Sequence, residues 1–176
     1  MKKFIYILLF TSQIIFSQDV LKNSFDDICQ SNGLIILKET NELFTGSVEF
    51  YKDEKFLNHK LNYKEGYLES EIYFHKKPNH LKPFYEFIYH KEKSNPETKK
   101  FTVAIINHYD RNGVLRHNKE FSKNGELVKS QYYTKVGKLK SYCEYKEGVK
   151  HGKYVYYRKD RECISFYENG KKMKSN

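Results

Sequence analysis

Residues 109–148 read YDRNGVLRHNKEFSKNGELVKSQYYTKVGKLKSYCEYKEG, and their punctuation decides the fold. Gly113, Gly125, Gly137 and Gly148 fall 12, 12 and 11 residues apart. Each follows an aromatic by three or four positions: Tyr109, Phe121, Tyr133 and Tyr145. Asn-Gly and Glu-Gly pairs let the chain take the positive φ that tight hairpins require. A strand of about 6–8 residues and a turn of about 3–4 account for the spacing.

Outward from this stretch the pattern continues. Gly66 follows Tyr63, and Gly170 follows Tyr167. Leu68, Leu115, Leu127 and Leu139 each stand two places after a glycine. After Tyr157 the chain reads RKDR, and Asp160 takes the turn position. Residues 82–91 and 100–109 read as two long strands joined by a charged loop containing Pro96. Short strands at regular spacing predict an all-β chain: tandem antiparallel β-hairpin repeats forming an elongated single-layer meander sheet. The composition agrees. Sixteen Tyr and 13 Phe with no Trp, and 31% charged residues, suit a thin sheet with half-exposed faces better than a thick apolar core.

The ends read differently. Lys2 and Lys3 precede an apolar stretch, Phe4 to Phe16, that is too short to span a membrane and fits a cleaved secretory signal. Residues 1–17 are therefore expected to be a signal peptide, and the mature chain to be exported to the periplasm, cell envelope or medium without spanning a membrane. Residues 18–42 are expected to be a lead-in, a short helix over the weak Val20–Gln30 stripe or disordered. Residues 43–176 form the β-repeat domain, with an irregular hairpin inserted at about 76–103.

Charge is uneven. Residues 18–100 carry 13 Lys/Arg against 14 Asp/Glu, whereas residues 101–176 carry 17 against 8. The basic C-terminal half suits an anionic partner such as an acidic protein, lipid headgroups or envelope polysaccharide. The simpler account is that lysines keep strand edges from pairing with other chains. With no recognition motif, nucleic acid is not an expected partner. Lysines on both strand parities, Lys135 and Lys138 among them, leave no lipid face for an outer-membrane barrel.

Three blocks resemble a known repeat: LFTGSVEFYKDEK (43–55), YKEGYLESEIYFH (63–75) and YKEGVKHGKYVYYRKDRECISFYENGKK (145–172). They are similar to the MORN-type repeat in the variant found in the YwqK-type antitoxin family. The resemblance covers most of 43–75 and 104–172, and residues 76–103 depart from it. It implies stacked hairpins and a protein-binding role. An antitoxin against a cytoplasmic toxin would not be exported, so the family's antitoxin label carries over only for a target that acts in the envelope.

Candidate sites are few. Seven histidines show no metal-ligand spacing beyond the pair His75 and His80, and read as solvated turn residues, His151 before Gly152 among them. No nucleophile motif is present, so the chain is expected to be non-enzymatic, with no cofactor and no metal. A hairpin turning at Glu147–Val149 sets Cys143 opposite Tyr154, and the next sets Cys163 opposite Tyr156. The two thiols are then a whole strand apart, about 10 Å, and too far for a disulfide. That register gathers Tyr145, Tyr154, Tyr156 and Tyr167 on one face, the candidate partner-binding surface. Tyr142, Tyr157 and Phe166 fall on the other. Cross-strand stabilisation is the simpler role for these rings.

Overall fold

The computed structural model describes residues 19–22, 24–76, 81–90, 102–159 and 161–174. The signal-like stretch, His80, the Pro96 loop and Asp160 lie outside the described residues.

The described residues form fourteen strands: β1 (Asp19–Lys22), β2 (Ile28–Ser31), β3 (Leu34–Leu37), β4 (Gly46–Lys52), β5 (Phe56–Lys64), β6 (Tyr67–Phe74), β7 (Pro83–Tyr89), β8 (Val103–Tyr109), β9 (Leu115–Phe121), β10 (Leu127–Tyr133), β11 (Leu139–Lys146), β12 (Val149–Arg158), β13 (Arg161–Glu168) and β14 (Lys171–Lys172). From β4 onward each strand pairs with the next, giving a twelve-stranded meander with β1 at one edge and β14 at the other. The tandem hairpin sheet expected from the glycines is the fold observed.

Two kinds of turn build it. Glu65-Gly66, Glu147-Gly148 and Asn169-Gly170 are two-residue turns with both residues at positive φ, the hairpin geometry whose twist matches the strands. The 110–113, 122–125 and 134–137 turns instead close an N–H from the glycine onto a carbonyl three residues back. Their first residue caps them. The Asp110 carboxylate accepts from the N–H groups of Asn112 and Val114, and Ser122 Oγ from Asn124 and Glu126. Thr134 Oγ1 accepts from Lys138.

The recurring leucines mark a regular β-bulge. In four hairpins the pairing skips one residue three places after the glycine: Glu69, Arg116, Val128 and Lys140. Each extra residue follows Leu68, Leu115, Leu127 or Leu139. A bulge adds twist and re-aims the side chains beside it.

The lead-in differs from expectation. In place of a short helix or disorder, residues 19–22 form β1, parallel to β4, and 28–37 form the β2–β3 hairpin turning on Asn32-Gly33. A parallel pair needs a crossover, and this hairpin supplies it. Apolar burial is the reason. Ile28, Phe44 and Val48 form the core cluster, with Leu21, Ile35, Leu37, Phe50, Leu61 and Tyr63 packed against it. Phe44 is 0% exposed, a burial that contributes about 1.5–3 kcal/mol. Among the described residues the sheet is single-layered except where this hairpin covers its N-terminal end.

Candidate functional site

The bulges bring one residue from each of ten consecutive strands into a single row. It begins Phe50, His59, Tyr73, Tyr85 and His108, on β4 to β8. It continues His117, Tyr132, Ser141, Tyr156 and Cys163, on β9 to β13. Paired residues in antiparallel strands share a face, so these side chains run across one side of the sheet. Many of the rings stack. Centroids lie 5.4 Å apart for Phe50–His59, 4.4 Å for His59–Tyr73, 4.8 Å for Tyr85–His108 and 4.0 Å for His117–Tyr132.

Read as turn residues, His59, His108 and His117 are instead mid-strand members of this row. His151 likewise lies within β12. Uniform strand spacing conceals the row, because each bulge shifts the pairing by one residue.

The opposite face is chemically different. There Glu49 pairs with Lys60 at 2.9 Å and Glu120 with Lys129. Asn107 donates to Glu86, and Asn118 donates to Asn107. Its polar side chains largely satisfy one another. On the ring face Glu71 is held by Tyr73 Oη, Tyr89 Oη and His59 Nε2, each at 2.7 Å. Burial raises its carboxyl, but the two tyrosine hydrogen bonds and the nearby imidazole outweigh that and hold it below the usual 4.5. Tyr73 is pushed up to about 12, first by burial and then by its bond to Glu71.

The four candidate tyrosines share the ring face. Cys143 pairs with Tyr154 and Cys163 with Tyr156, the register read from the sequence. Tyr167 meets Tyr154 edge-on at 6.0 Å, and the Lys150 ammonium lies 4.9 Å and 5.2 Å from their ring centres. The Tyr145 hydroxyl accepts from Ser130 Oγ at 3.3 Å. Tyr154, Tyr167 and Tyr145 thus have internal partners, while Tyr156 walls a groove with Tyr132, Ser141 and Lys140.

Among the described residues no three His, Cys, Asp or Glu come together as a metal site. Cys143 is 4% exposed, and burial pushes its thiol up, opposite to what a nucleophilic cysteine needs. No helix among the described residues is long and apolar enough to cross a membrane.

Neither a family model nor a curated protein matches the chain. Among solved structures it is similar to a chain in the crystal structure of the GtfA/B complex bound to UDP and GlcNAc, at 10% identity and a TM-score of 0.43. The aligned part is 61% of this chain and 22% of that one, so this chain spans about a fifth of the other's length. A likeness of that grade carries no argument about what the chain does.

Proposed function

We propose that the chain is an exported, non-enzymatic binding module that takes a protein partner on the ring-lined face of its sheet. One observation carries the reading. The β2–β3 hairpin covers that face near β4 and β5, and beyond it, among the described residues, the row of rings has no second layer. Large aromatics gathered on one open face are the usual anchors of protein interfaces. Tyr156, with Tyr145, Tyr154 and Tyr167 beside it, belongs to this face. The apolar stretch behind Lys2 and Lys3 supports export, and the resemblance to YwqK-type repeats supports a protein-binding, antitoxin-like role in the envelope.

A photo-crosslinking side chain at Tyr167 on the ring face, or at Phe166 on the other, tests the reading in envelope extract. One saturable adduct from position 167 and none from 166 is expected. Equal labelling, or labelling from 166 alone, overturns it.

The charge favours a second reading, a structural envelope component whose basic C-terminal half lies against anionic headgroups or polysaccharide. Salt separates the two. Headgroup binding should collapse at high ionic strength, and ring-anchored protein binding should weaken far less.

A further inference from the structure

The row of rings has a break. Between Tyr132 on β10 and Tyr156 on β12, strand β11 contributes only Ser141. Neighbouring strands lie about 4.8 Å apart, so the strands bearing the two flanking rings stand about 10 Å apart. Elsewhere the stacked rings of the row repeat at 4.0 Å, 4.4 Å, 4.8 Å and 5.4 Å. A ring set over Ser141 would therefore meet each wall at the spacing of the row itself. The slot is part of a wider groove of about 800 Å³, which also takes in His117 and His108 on the far side of Tyr132.

Its rim is basic. Arg116, Lys135 and Lys140 line it, and no carboxylate does. Arg116 and Lys140 are both bulge residues, which is why each is turned toward the groove beside the row residue that follows it. Among the described residues neither Lys135 nor Lys140 is in an ion pair, and Arg116 makes only a 3.5 Å contact with Asp110. Buried Nε of Arg116 and Nε2 of His117 have no hydrogen-bond partner. A slot one ring wide, flanked by aromatic walls and rimmed by the cations Lys135, Lys140 and Arg116, is complementary to a flat ring with negative charge beside it.

We propose that the groove over Ser141 receives an aromatic side chain of a partner polypeptide, flanked in that partner by Asp or Glu. The proposal rests on the reading of the ring face as a protein-binding surface and names what enters it. Here Tyr132 and Tyr156 are the walls, and Lys135 and Lys140 meet the acidic flanks.

The chain contains no Trp, so a peptide bearing one Trp between acidic residues reports its own binding by fluorescence. Full-length protein should give a saturable change with this peptide, and the peptide with Ala in place of Trp, followed by its displacement of the Trp peptide, should bind at least tenfold more weakly. Ser141→Phe fills the slot from inside. It should weaken the Trp peptide at least tenfold while melting no lower than the parent, since it completes the row. Ser141→Ala should bind as the parent does. Should Ser141→Phe fail to fold, Tyr156→Ala supplies the same test by removing one wall, with a similar loss expected. Equal binding of the Ala peptide reduces the groove to a charge effect and overturns the proposal. So does undiminished binding by Ser141→Phe, or no binding by the parent at millimolar peptide. If the peptide fails while the position-167 crosslink persists, the slot is refuted and the ring face stands. Loss of both removes both.

Discussion

Gly152 shows how much one side chain's absence decides. Its φ is +89°, and a Cβ there would lie 2.3 Å from Glu144 Oε2. That carboxylate accepts the Lys153 N–H at 2.6 Å and so secures the irregular pairing between β11 and β12. Gly152→Ala should cost about 1–3 kcal/mol in chemical denaturation, from backbone strain together with the displaced carboxylate. Gly148, also at positive φ but with open space around it, should lose less. Equal losses would mean that Glu144 has no part in holding the bulge. Titration at the ring row is a second residue-scale matter. Burial first, then Lys119 and His108, hold the His117 imidazole below 6.5. For His108 burial acts first as well, then His75 and Arg116, with Asp110 pulling the other way. A base with a depressed folded pKa adds stability that is complete above the unfolded value and is lost as the pH falls below about 6.5. Melting temperature should therefore drop on acidification from that point, before Glu71 and Glu144 protonate. His117→Phe keeps a ring against Tyr132 and should flatten that first drop. An unchanged profile would show that His117 is solvated.

At the scale of elements, the turns were the legible part and the pairing was not. Tyr109, Phe121 and Tyr133 with their glycines announce hairpins, because positive φ is a demand few residues meet cheaply. Even the β2–β3 hairpin had its signal in Asn32-Gly33. It is obscured by the Val20–Gln30 stripe, where a weak helical pattern loses to the burial of Ile28 and its packing partners Ile35 and Leu37. Replacing Phe44 by Ala should unsettle this crossover most, with a loss of about 3–5 kcal/mol. A loss below about 1 kcal/mol in urea unfolding would mean that the hairpin does not depend on that ring. The bulges at Glu69, Arg116, Val128 and Lys140 stay hidden in the sequence because an unpaired residue carries no compositional mark. Without them the row of rings cannot be assembled on paper. Cys143 and Cys163 could be placed correctly because no bulge interrupts β12–β13 and the irregularity in β11–β12 lies beyond Cys143.

Across the whole molecule, stability should be graded. In stacked arrays each unit leans only on its neighbours. The core cluster lies between β2 and β4, with Leu61 and Tyr63 of β5 packed against it, while β14 is two exposed residues on an edge. Amide hydrogen exchange should be slowest through β4–β6 and fastest at β13–β14, and uniform protection would contradict the picture. The spacing of the bulges has a further consequence. His117 and Ser141, twenty-four residues apart, share the ring face, while Lys129 midway between them faces the other side. The heritable unit is therefore the pair of strands. Copying two consecutive strands within the gene would lengthen the sheet and leave every older side chain in its surroundings. Copying one would turn all that follows upside down. Descendants of such a chain should differ in length by whole hairpins.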